Sequence, residues 1–502
     1  MKNFPSHRFA GLLTALLIAA TLSLPVSPVA GARNLQHQAS EIHAVPADGF
    51  VIQEQDGAAH CRAATTAEAP MLQPGNAADL RVIYAGRSAA EQQTGLVITL
   101  VSTAQLDAAP TAKAAFIRAA QRWENLIQSP LNIIINVDFG TTRFGTPFPS
   151  GVIGSTSVQI LQLSYPDLRN SLLQAGTGAA KAQLYGLLPP SLLPTDIGNA
   201  SSALAASSVL RALGVLPPAA DPAAEQAQLG SPPSIGFNSA LNFDFDPSDG
   251  IAAGKLDFEA TAAHEIGHAL GFNSTVGLKE LDASAPIVPA ALDFFRFRPG
   301  VTNATFTATQ RILSSGDPHI LFDGAQTLAL STGRPDGSGG DGRQASHWKD
   351  DTFTSNYIGI MDPTLTIGVR GEITDNDLTA YDLLGYRLRG RLPELKTDDG
   401  SVETGLIADG LLVVNRLTPA SYPSTLQKIR VFIAHAVNQP DPSGAQIRLV
   451  AFNAANLGNT PPSNVTLLLN QTVTIPVTTA NGFVDFFINN GPTINAGDWY
   501  VG

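Results

Sequence analysis

Two histidines four residues apart, in His264-Glu265-Ile266-Gly267-His268, constrain this chain more than any other stretch. On a helix they stand one turn apart on one face, so both imidazoles can reach a single Zn²⁺. Glu265, beside the first, can project toward the metal's open position and take a proton from a water there as general base. The run Leu256 to Ala263 leads into the motif as a helix. Asp257 is its cap, and Phe258, Ala262, Ile266, Ala269 and Leu270 form an apolar face. Gly271 then lets the chain leave the helix and turn back under the metal.

A zinc site of this kind needs a third protein ligand. Ser274, three residues past the glycine, is a poor one, and the next glutamates, Glu280 and Glu372, carry no supporting pattern. Of the histidines that follow, His319 lies in Asp317-Pro318-His319-Ile320, and His435 stands alone and reads as structural. His347 precedes Trp348, and Met361, in Ile360-Met361-Asp362-Pro363, comes 14 residues after it.

His264 to His268, Gly271, His347-Trp348 and Met361 together resemble leishmanolysin and its relatives among the metzincin zinc metallopeptidases. The resemblance implies that His264, His268 and His347 are the zinc ligands, Glu265 the base and Met361 the methionine turn beneath the metal. It implies an insertion filling the stretch between His268 and His347. It also implies a metalloendopeptidase that acts on protein or peptide substrates. Leishmanolysin-type enzymes are disulfide-rich and this chain has one cysteine, which places it in a different subfamily, more like a bacterial secreted branch.

The fold class expected is α+β: a metzincin-like catalytic domain with a twisted sheet, an active-site helix and a Met-turn, followed by an all-β sandwich. Residues 1–32 read as a secretory signal. Lys2 and Arg8 open it, an apolar run follows, and Ala30-Gly31-Ala32 offers a cleavage site. No later run is long enough to span a membrane, so the expected destination is extracellular or periplasmic, without membrane insertion once the signal is removed. Charged residues are only 14% and net charge is −12, which argues against nucleic acid as a partner.

Residues 33–92 read as a propeptide or linker of weak periodicity. They hold Cys61, which has no partner for an intramolecular disulfide. Its thiolate can fill zinc's fourth position as a latency switch until the segment is cut away, and Arg62 beside it favours the ionised form. The catalytic domain is placed at 93–391. A strand is predicted from Leu96, a helix over 111–128, a strand over 131–139 and another over 158–163. Residues 166–230 read as broken helices, and residues 292–298 and 327–330 as strands. A helix from Ile373 to Tyr386 closes the domain. Ile235 to Phe245 is the candidate edge strand for an extended substrate. Asp244, Asp246 and Asp249 are spaced to bind Ca²⁺, although the twelve-residue loop pattern and its terminal glutamate are missing.

Residues 392–502 alternate in five stretches typical of a sandwich, and the chain stops within what reads as a further strand. A second reading is a non-catalytic exported binding protein, with a structural metal and an interacting β-sandwich. Retention of Glu265 argues against it, because a structural zinc needs no base.

Overall fold

The computed structural model describes residues 43–44, 49–55, 58–65, 67–72, 80–86, 95–176, 179–333, 339–388 and segments of 412–502. Residues 1–32, expected to be a secretory signal, and His435 lie outside the described residues. One compact unit spans Ile42–Gly502, and it mixes helices with a large sheet.

The elements that position the site are, in chain order, β1 (Gly49–Gln55), β2 (Ala58–Ala63), α1 (Ala69–Leu72), β3 (Arg81–Ala85), β4 (Val97–Ser102), α2 (Pro110–Leu126), β5 (Asn132–Gly140), β6 (Val152–Ser157), β7 (Ser234–Asn238), α3 (Phe258–Ala269), β8 (Thr364–Leu365) and α4 (Asp375–Leu383). Eight strands form one sheet in the order β8-β2-β1-β6-β7-β5-β4-β3. Strands β4, β5 and β7 run parallel, and the pairings on either side of them are antiparallel. The continuous apolar runs of β4 and β5 suit strands covered on both faces. Helix α2 packs its Phe116, Ala119, Ala120 and Trp123 into the core that also receives α3.

Three expectations change here. The 33–92 stretch, read as weakly periodic, supplies β1 and β2 at one side of the sheet and β3 at the other. In β1 the alternation is masked, because both faces are covered: Phe50 and Ile52 enter the main core, while Val51 packs with Met71, Leu72 and Val152. Second, the Ile235 to Phe245 stretch is not an edge. Its strand β7 lies between β5 and β6, so β6 is the last strand before the N-terminal hairpin. Third, residues 291–295 form a 3₁₀ turn, leaving only Arg296–Phe297 as strand. The buried ion pair of Arg296 with Asp293 holds that turn.

Helix α3 is buried on every side rather than along one stripe. Its buried end leaves carbonyls that need donors. Tyr381 Oη donates to Gly267 O at 2.8 Å, Ser208 Oγ to Ala269 O at 2.7 Å and Tyr386 Oη to Leu270 O at 2.8 Å. Gly267 lets Met361 approach: a Cβ there would fall inside contact distance of Met361 Sδ and Tyr381 Oη. Gly267→Ala is therefore expected to lose about 1–3 kcal/mol by overpacking, although alanine is the better helix former by about 1 kcal/mol. A urea midpoint at or above wild type would refute this.

In the C-terminal part, Asn415–Leu417, Asp498–Val501, Gln446–Ala454 and Thr466–Thr474 pair antiparallel in that order. Lys428–Ile433 pairs with Gly482–Phe487. Ile429, Leu449, Phe486 and Trp499 share a second core.

Candidate metal centre

The three predicted histidines are brought to one point by two local causes. Asp257 caps α3 by accepting from Ala260 N at 3.0 Å, and the helix sets His264 and His268 one turn apart. Gly271 has φ +110, so the chain departs as the motif requires. His347 arrives 79 residues further along the chain. Trp348, after it, donates its indole N–H to Asp377 Oδ1 at 2.7 Å and lies edge-on to Phe272. Asp377 also accepts from the backbone N–H groups of Ile360 and Met361. One buried carboxylate on α4 thus ties the His347 segment to the turn carrying Met361.

The histidine tautomers follow from the outer hydrogen bonds. His264 Nδ1 donates to Ile360 O at 2.7 Å, His268 Nδ1 to Phe272 O at 2.9 Å and His347 Nδ1 to Gln344 O at 2.9 Å. This leaves the lone pairs on all three Nε2 atoms. His268 Nε2 and His347 Nε2 stand 3.2 Å apart, and His347 Nε2 and His264 Nε2 3.3 Å. Three converging lone pairs with no proton between them repel one another unless a cation sits among them. Their separation matches the edge of a tetrahedron with bonds of about 2 Å. Burial pushes His264 down to about 4, and holds His268 and His347 well below the ordinary histidine value, so the imidazoles are neutral and ready to ligate.

The fourth corner is Cys61. Its Sγ lies 3.8 Å from His268 Nε2 and 3.9 Å from Glu265 Oε1. Cys61, His264, His268 and His347 form a buried cluster whose ligand atoms all lie within 4.8 Å of one another, a set that could hold a metal ion. The donor set of one soft thiolate and three imidazoles suits such an ion. The charge of Arg62 favours the ionised thiol as expected, but burial and Glu265 outweigh it. Arg62 occupies the opposite face of β2 and pairs with Glu68 at 2.7 Å. Burial first, and then the charge of Glu265, push the Cys61 thiol up, so ionisation there depends on a bound cation. Glu265 is fully buried, burial lifts it to about 7 against the pull of Thr156 and Cys61, and its Oε2 has no hydrogen-bond partner among the described residues.

Other predicted residues lie elsewhere. His319 Nε2 donates to Gly316 O at 3.0 Å and its Nδ1 accepts from Arg296 at 3.1 Å, so it is a core residue. Asp244, Asp246 and Asp249 are not brought together as a metal group among the described residues. Asp244 accepts from the N–H groups of Asp246 and Ala252, and Asp246 from that of Ser248. The loop's own backbone thus engages both oxygens of Asp244 and one of Asp246.

Sequence reasoning missed Asp377, whose signal was only its place as third residue in the Thr374 capping box. It also missed Glu68. That carboxylate accepts from Arg62, Thr65 N and Thr65 Oγ1, and the Arg62 guanidinium holds it down at about 2. A depressed folded value means that the stabilisation is complete above the ordinary 4.5 and is lost as pH falls toward 2. With Arg62 partly in water, Glu68→Gln should lose about 1 kcal/mol at pH 7. The gap to wild type should close as pH falls from about 4.5 toward 2, read as urea midpoints across the range. A gap constant with pH would refute it.

Comparison with family models, with curated proteins and with solved structures finds no match.

Proposed function

We propose that this chain is the latent form of an exported zinc metalloendopeptidase of metzincin type, with a catalytic domain followed by a β-sandwich. The observation that carries the reading is the convergence of three Nε2 lone pairs beside a buried glutamate with an unpartnered oxygen. His264, His268 and His347 would hold Zn²⁺, and Met361 packs beneath them against Gly267. Bound zinc would supply Lewis-acid polarisation of a scissile carbonyl and lower the pKa of a water to about 7. Glu265 would be the general base, holding a proton on its carboxylate and passing it to a leaving amine. Strand β6 would grip an extended peptide backbone once its neighbour β1 is gone.

Cys61 closes the fourth position in the unprocessed chain, as a latency switch. Cobalt substitution tests this ligation. The unprocessed protein should show thiolate-to-cobalt charge-transfer absorption, and Cys61→Ser should lack it. After removal of the 33–92 segment, casein hydrolysis that a chelator stops is the expected result. A processed, zinc-loaded protein that leaves casein intact would overturn the peptidase reading.

One observation favours a second reading. Structural zinc sites are closed by four protein ligands, and Cys61 sits in a hairpin bonded on both sides, β1 to β6 and β2 to β8. A permanently closed centre in a binding protein would keep its metal and its hairpin after proteolysis.

A further inference from the structure

The hairpin meets the metal centre with more than its cysteine. In the β1–β2 register Phe50 faces Ala63 and Ile52 faces Cys61. Phe50, Ile52 and Cys61 enter the same core as α3, while Val51 turns to the other face of the sheet. Phe50 is 2% exposed. Its ring lies on the His268 imidazole with centroids 3.8 Å apart and planes 7° apart, and edge-on to His347 at 6.3 Å. Neither contact uses a metal. A phenyl face on a neutral imidazole is held by dispersion and by exclusion of water, and both persist when the cation is withdrawn.

We propose that Phe50 is a second, metal-independent lock on this centre: its ring on His268 keeps the hairpin seated and the Cys61 thiol shielded when no thiolate–metal bond exists. The proposal takes its meaning, latency, from the reading above, but the lock itself is a contact between side chains. Its consequence is that chelation alone does not uncover the centre. Release requires the Phe50 ring to leave His268, the β1–β6 and β2–β8 pairings to part, and the bond from Cys61 N to Pro363 O at 2.8 Å to break. Cys61→Ser therefore leaves the hairpin in place.

The chain's single cysteine makes the test direct. Full-length protein is stripped of metal with a chelator, and the rate of Cys61 modification by a small maleimide is measured against the same protein in denaturant. Modification of a buried thiol reports local opening. The wild type is expected to react at least about 100-fold more slowly than the unfolded chain, and Phe50→Ala at least about tenfold faster than wild type. Phe50→Leu, which keeps apolar bulk without the ring, should fall between them and serves if the alanine variant does not fold. Phe306→Ala removes an equally buried ring among Phe295, Phe297 and Phe322 and should leave the rate at the wild-type value. Three results would overturn the lock: metal-free wild type reacting as fast as unfolded chain, Phe50 variants no faster than wild type, or Phe306→Ala accelerating as much as Phe50→Ala. A protein that binds no zinc would fail the earlier reading without changing these metal-free rates.

Discussion

Processed Glu265→Gln is expected to bind zinc in full and to hydrolyse casein about 10²–10⁴-fold more slowly than processed wild type, the range for loss of a positioned general base. The amide keeps the size of the carboxylate, so the packing of α3 is preserved. It cannot accept a proton at neutral pH, so the water is no longer activated. Zinc should stay, because the three Nε2 atoms are oriented by Ile360 O, Phe272 O and Gln344 O and not by Glu265. Metal content and hydrolysis must therefore separate. Undiminished hydrolysis would remove Glu265 from the chemistry. Joint loss of zinc and activity would mean that the residue holds the site together instead.

The second large effect is expected in His347→Ala. The total affinity of a four-ligand zinc site is about 10–16 kcal/mol, so removing one ligand costs on the order of 3 kcal/mol, or about 10²-fold in affinity. Zinc stoichiometry after dialysis should fall, and the rise in Tm that zinc gives the wild type should shrink with it. His319→Ala is the contrasting variant. It breaks bonds to Arg296 and Gly316 O in the core, so it should lose stability and keep its metal. The reverse pattern, zinc retained in His347→Ala and lost in His319→Ala, would exchange their roles.

Legibility in the sequence followed the range of the interaction. The capped helix over 258–269, the strands at Val97–Ser102 and Asn132–Gly140, and the Thr374-capped helix were readable, because spacing, caps and β-branched runs act within a few residues. The hairpin Gly49–Ala63 was not. In its first strand burial on both faces removes the alternation that marks a half-covered strand, and the second alternates in burial but buries only a small alanine and the cysteine. The loop at Asp244 is the opposite case: its carboxylates have the spacing of ligands, but both Asp244 oxygens and one of Asp246 accept from nearby N–H groups.

By itself the sequence determined a helix with two imidazoles and a carboxylate on adjoining positions, because helical geometry places residues 264, 265 and 268 together wherever that helix lies. Only the tertiary structure decided that His347 and Cys61 complete the set. They lie 79 and 207 residues from His268, and at such separations a meeting depends on strand register and on Asp377 joining two distant turns. It likewise decided that Phe50 covers the centre, since the face a strand side chain takes is set by its partner strand and not by its neighbours in the chain.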